Sequence, residues 1–171
     1  YFATGTGANI GMGLYDNGVN SWQYLQNNLS STPFPLGSGM AVKLITAADL
    51  SFTGEMLTED KNDINITLNQ NGLNLIGNPY PSYISLNDVL NANDEGTNDL
   101  LVEKTTWFWD QTANEGVGDY QTFNLIHNYI IAPGQCFFIE ASSAAMTFSI
   151  TEAMQSHQPE TGDTFLRTTT A

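Results

Sequence analysis

Apolar and polar residues alternate with period two along most of this chain. From Asp63 to Asn69, Ile64, Ile66 and Leu68 fall on one side and polar residues on the other, and Asn71-Gly72 supplies a tight turn before Leu73-Asn74-Leu75-Ile76. This spacing predicts a β-hairpin with one buried face. Further strands are expected at Trp107-Phe108-Trp109, Thr122 to Leu125, Gln135 to Glu140 and Thr147 to Thr151, with counterparts near 10–15, 22–25, 39–45 and 50–54. One short helix is expected where Ser85 or Asn87 can cap Asp88-Val89-Leu90, ahead of an irregular loop over 91–99.

These counterparts reflect a repetition of sequence. Tyr15-Asp16, Trp22-Gln23-Tyr24, Gly37 to Val42, Ala47-Ala48 and Phe52 to Glu55 recur in order as Trp109-Asp110, Tyr120-Gln121, Gly134 to Ile139, Ala144-Ala145 and Phe148 to Glu152. Matching positions lie 94 to 98 residues apart, and the offset drifts only where connections differ in length. The expected fold is all-β: a jelly-roll-like β-sandwich built from an internally duplicated multi-strand unit, its two similar sheets packed face to face. It forms one domain over 1–155, with pseudo-repeats at about 10–56 and 105–154. Residues 156–171 read as a linker or the start of another strand set. Because the sequence starts at Tyr1 with no initiator Met, signal region or long apolar run, it reads as an excised mature segment.

Charge narrows the partners. Four cations, Lys43, Lys61, Lys104 and Arg167, stand against 18 carboxylates, for a net charge of −14. So few cations build no basic patch, which excludes nucleic acid and disfavours anionic membranes and heavily sulfated polymers. Polarity comes instead from Asn, Thr, Ser and Gln, which suit strands and turns better than long helices. The lone Cys136 forms no internal disulfide and, set in a strand, reads as a small buried residue rather than a reactive thiol.

The segment Asn74 to Ser82 (NLIGNPYPS), together with Trp107-Phe108-Trp109-Asp110 and Ile131 to Phe138 (IAPGQCFF), resembles β-rich regions of large secreted and surface proteins of Bacteroidetes, often found before a type IX secretion sorting domain. The resemblance spans most of the chain. It implies a secreted or cell-surface location and neighbouring domains on the same polypeptide, and no defined activity. The chain departs from that pattern at Cys136, where the family usually has Gly, as at Gly39. The family's strand like Leu73 to Ile76 ahead of the first copy would fall before Tyr1.

Catalysis finds no constellation. Neither His127 nor His157 stands beside a nucleophile motif, and nothing marks two of the carboxylates as facing a cleft, so no enzyme is expected. The aromatics suggest binding. In a strand Trp107 and Trp109 share one face and Phe108 takes the other. The aliphatic Met12 and Leu14 fall on the Phe108 side of the repeat, and Gly13 stands where Trp107 does, so the Phe108 side is expected to be core and the Trp side partly open.

Trp107, Trp109 and Tyr120, with Tyr80 or Tyr83 from the Pro-rich turn, then form a platform for a sugar ring, with Asp110 among the polar groups at its rim. The bland alternative is that these rings are ordinary sheet packing. Two functions remain open: a non-catalytic module for a neutral or weakly charged polysaccharide, and a structural or adhesive spacer. Asp110 also reads as a turn residue. No cofactor is required, although Asp110, Asn114, Glu115 and Asp119 in one loop, and Asn93, Asp94, Glu95 and Asp99 in another, carry the oxygen ligands calcium takes.

Overall fold

The computed structural model describes residues 2–26, 34–51, 53–95, 98–143 and 146–157. Among them lie the strands β1 (Asn9–Asp16), β2 (Ser21–Gln26), β3 (Met40–Val42), β4 (Lys61–Ile66), β5 (Leu73–Gly77) and β6 (Tyr83–Ser85), then helix α1 (Leu86–Asn93). The second half holds β7 (Asp94–Glu95), β8 (Asn98–Asp99), β9 (Thr105–Asp110), β10 (Asp119–Asn124), β11 (Ile130–Ile131), β12 (Cys136–Glu140), β13 (Met146–Ile150) and β14 (Gln155–Ser156). The fold is all-β, made of antiparallel sheets in sandwich fashion, with Ser85 Oγ accepting from Asp88 N to cap the short helix. The expected pair Ala144-Ala145, the aromatic of Phe52 and the tail from 158 lie outside the described residues.

Alternation decides the layers. In the four-stranded sheet, ordered β10-β9-β12-β5, Phe108, Phe137, Ile139 and Ile76 point to one face and are buried. Against them pack Ile64 and Ile66 of β4, Phe148 and Ile150 of β13, Ile84 of β6, Ile131 of β11, and Leu86, Val89 and Leu90 of α1. The core therefore sits between the four-stranded sheet and a second layer made of the β13-β4 and β11-β6-β14 sheets plus the helix.

Two expectations about local pairing are corrected. Strands β4 and β5 do not form a hairpin: β4 pairs with β13 and β5 with β12, so the turn between them crosses from one layer to the other. The reason is Asn74. Its buried side-chain amide accepts from Thr67 N at 3.0 Å and donates to Thr67 O at 2.9 Å and to Gly72 O at 2.8 Å. A side chain thus takes the hydrogen bonds a hairpin partner would have made, and the strands splay. The other correction concerns 50–54, where Leu50, Ser51, Thr53 and Gly54 lie in no strand. The matching β13 is held by β4, and no described strand offers itself to the earlier segment.

The first segment forms its own sheet, ordered β2-β1-β3. Its register parallels that of the second segment. Tyr15 pairs with Trp22, Asp16 with Ser21 and Gly13 with Ala41, while their sequence matches pair as Trp109 with Tyr120, Asp110 with Asp119 and Trp107 with Phe138. The two sheets do not enclose the core between them, however, and that expectation is corrected. No residue of β1, β2 or β3 belongs to the buried core, and Met12, Leu14, Met40 and Val42 are only half-buried. The second segment's Phe108 face is covered by β4, β13 and α1, whereas the first segment joins the rim of β5.

That junction depends on small residues. Gly77 N donates to Gly37 O and Gly39 N to Leu75 O, so the chain leading into β3 runs along β5 before turning to pair with β1. A Cβ at Gly39 would lie 2.5 Å from Leu75 Cγ and 2.7 Å from the Cβ of its sequence counterpart Cys136. Burial pushes the Cys136 thiol pKa up, and the sulfur donates to Met40 O, so the residue packs rather than reacts. Gly39→Val is expected to cost about 1–3 kcal/mol by overpacking, measured by urea denaturation. Adding Cys136→Gly should recover part of the loss, and no recovery would show that the crowding lies elsewhere.

Candidate functional site: an aromatic cleft

The outer face of the four-stranded sheet carries Trp107, Trp109, Tyr120 and Phe138, because residues paired across antiparallel strands project to the same side. The β1–β2 hairpin leans onto this face. Tyr15 meets Phe138 edge-on with ring centroids 5.0 Å apart, Trp22 meets it at 6.2 Å, and Tyr120 meets it at 5.7 Å. Between hairpin and sheet lies a cleft of about 450 Å³ lined by Tyr15, Trp22, Trp107, Tyr120 and Phe138, with Leu73, Asn20, Asn71 and Glu140 completing the wall.

The hairpin is held there by polar contacts between two turns. Tyr15 Oη donates to Asn20 Oδ1, and Asn71 Nδ2 donates to the same oxygen at 2.9 Å. Asn17 reaches across from the β1–β2 turn to donate to Leu73 O at 2.7 Å and to Asn69 O at 3.2 Å, and accepts from Thr67 Oγ1. Each bond is modest, and together they fix the distance between Tyr15 and the sheet. Burial pushes the Tyr120 phenol pKa up, so it stays a neutral hydrogen-bonding group at physiological pH. Trp107 pairs with no other ring among the described residues, which leaves its indole face unused by internal stacking.

The residues expected from the sequence divide among several environments. Trp107 and Tyr120 line the cleft. Trp109 stands beside Tyr120 at 5.1 Å, is 49% exposed and lies outside the cleft lining, folded over Gly118, where a Cβ would come within 2.2 Å of its ring. Tyr80 must be corrected: it is 2% exposed, and its hydroxyl donates to Glu59 O and Ile150 O, so it closes the far side of the core and not a platform. The alternative Tyr83 lies on β6 in the second layer, paired with Ser156 of β14. Asp110 is a turn residue and not a rim ligand. Its Oδ1 accepts from Thr112 N and Oγ1, and those bonds hold its carboxyl below the usual carboxylate range. Asp16, its match, caps Gly18 N in the same way.

Tyr15, Trp22, Phe138 and Glu140 were missed as site residues. Tyr15 and Trp22 could have been found by treating the aromatic matches of Trp109 and Tyr120 as members of one site.

The calcium expectation gains nothing from the geometry. Asn93 is fully buried and bonded to main-chain groups of Val89 and Ser149, and Asp94 accepts from Leu101 N with its pKa raised by burial and by neighbouring Asp99. Among the described residues no three His, Cys, Asp or Glu side chains are grouped to hold a metal ion. Compared with protein-family models, curated proteins and solved structures, the chain matches none.

Proposed function

We propose that this chain is a non-catalytic carbohydrate-binding module whose ligand enters the cleft between the β1–β2 hairpin and the β9–β10 face. One observation carries the reading: five aromatic rings line a cleft of about 450 Å³ that also presents Asn20, Asn71 and Glu140. Such a volume falls in the range of small-ligand sites, and rings beside amides match a pyranose, which has apolar C–H faces and a hydroxyl edge. Trp107 supplies the stacking face. Asn20 Nδ2 and the Tyr120 hydroxyl, neither of which donates within the protein among the described residues, meet sugar hydroxyls.

We further read the two segments as copies of one ancestral unit, which the shared strand order and register support. The resemblance of the NLIGNPYPS, WFWD and IAPGQCFF segments supports a secreted or surface-borne parent in which this module serves neighbouring domains. The ligand is a neutral or weakly charged polysaccharide, because the net charge of −14 repels polyanions.

A second reading, a structural spacer without a small ligand, draws on the edge-on contacts of Tyr15 and Trp22 with Phe138, which by themselves justify those rings as glue for the hairpin. Isothermal titration against a panel of soluble neutral glycans separates the two. The wild type is expected to bind at least one, and Trp107→Ala to weaken it at least tenfold, about 1.4 kcal/mol, with unchanged folding by circular dichroism. No binding across the panel would favour the spacer.

A further inference from the structure

Among the described residues the cleft lining holds one carboxylate and no cation. Glu140, the last residue of β12, joins Trp107, Tyr120, Tyr15 and Trp22 in the lining, and its side chain makes no hydrogen bond or ion pair among the described residues. The cations among the described residues are engaged or outside the cleft: Lys61 pairs with Asp63 at 2.6 Å, Lys104 donates to Asn91 Oδ1 at 3.0 Å, and Lys43 lies outside the lining. Several aromatic faces beside an unpaired carboxylate are the arrangement that attracts an organic cation, because ring quadrupoles and the carboxylate act on it with the same sign. The surrounding field of a chain with net charge −14 adds to that attraction.

We propose that the cleft selects an amino sugar with a free, protonated amine, such as the glucosamine unit of a deacetylated polymer, its ammonium facing Glu140 and the aromatic wall. The proposal rests on the carbohydrate reading above and departs from its neutral ligand in favour of a cationic one. A sugar is preferred to a small quaternary ammonium because the cleft has room for a pyranose ring and keeps Asn20 Nδ2 and the Tyr120 hydroxyl free for its hydroxyls.

The test compares the β-1,4-linked glucosamine tetramer with its fully N-acetylated counterpart by isothermal titration and tryptophan fluorescence, at about pH 6, where aliphatic amines are protonated. Choline serves as a sugar-free cation. The amine tetramer is expected to bind at least tenfold more tightly than the acetylated one. Glu140→Gln should erase most of that preference and leave the acetylated tetramer within about twofold of the wild type. Asp49→Asn, which changes net charge equally at an exposed position outside the cleft lining, should erase none of it.

Equal binding of the two tetramers overturns the ammonium selection while leaving the glycan reading intact. Equal losses in Glu140→Gln and Asp49→Asn also overturn it, by tracing the preference to overall charge. Binding of choline with neither tetramer retained overturns the amino-sugar assignment, as does binding of none of the three, while the carbohydrate reading itself stands or falls on the neutral-glycan panel.

Discussion

Phe108→Ala is expected to cost about 3–5 kcal/mol, a large share of the stability of an ordinary domain, whereas Trp109→Ala next to it should cost about 1 kcal/mol or less. The two residues are sequence neighbours on β9 and lie on opposite faces of the same sheet. Phe108 has no exposed surface and touches Phe123, Phe137 and Tyr129 at centroid distances of 5.5, 5.3 and 4.8 Å. Truncating it removes the transfer term and opens a void among rings carried by β10, β12 and the connection before β11, which cannot collapse together. Trp109 keeps half its surface in water and loses mainly its edge contact with Tyr120. Urea denaturation followed by far-ultraviolet circular dichroism measures both. Similar losses for the two variants would mean that β9 does not separate a core face from a solvent face.

That separation was legible because it needs only a two-residue period and the repeat. Placing Phe108 with Met12 and Leu14 predicted which side would be core, and Phe108 is fully buried while Trp109 is open. Most strands of both segments were legible for the same reason, the one expected at 50–54 excepted. Layer assignment was not. Whether β4 folds back on β5 or crosses to the other sheet turns on what Asn74 bonds, and an Asn in an alternating strand carries no mark of that choice.

Tyr80 failed for a related reason: a tyrosine after a Pro-rich turn suits a platform as well as a core, and only the carbonyls of Glu59 and Ile150, distant in sequence, decide. The cleft was half legible. Trp107 and Tyr120 follow from local alternation, but Tyr15 and Trp22 reach Phe138 only because Gly39 lets the first sheet close against β5 and Asn17 and Asn71 pin its turn, a long-range arrangement that no local pattern encodes.

Asn93→Leu should destabilise the fold by about 2–4 kcal/mol although it keeps the side chain's approximate size. Asn93 ends α1 with no exposed surface, donating through Nδ2 to Val89 O at 2.8 Å and Ser149 O at 2.7 Å and accepting from Ser149 N at 2.7 Å. Ser149 lies where the β13–β4 register slips between Phe148 and Ile150, so the ladder leaves its main-chain groups without a strand partner and the asparagine amide replaces one. Leucine would leave both part-buried groups without the partner the amide provides.

Asn93→Asp separates this account from a packing effect. At neutral pH a buried carboxylate would face the Val89 and Ser149 carbonyls with no proton to offer, and the same burial raises its folded pKa above the unfolded value. Its penalty is therefore present above the raised pKa and relieved as pH falls through it, since the protonated acid again donates to one carbonyl. Relative to the wild type at each pH, the aspartate variant is expected to regain stability on acidification while the leucine variant runs parallel. Parallel curves for both, or a leucine variant within about 0.5 kcal/mol of the wild type, would show that Ser149 finds its partners elsewhere.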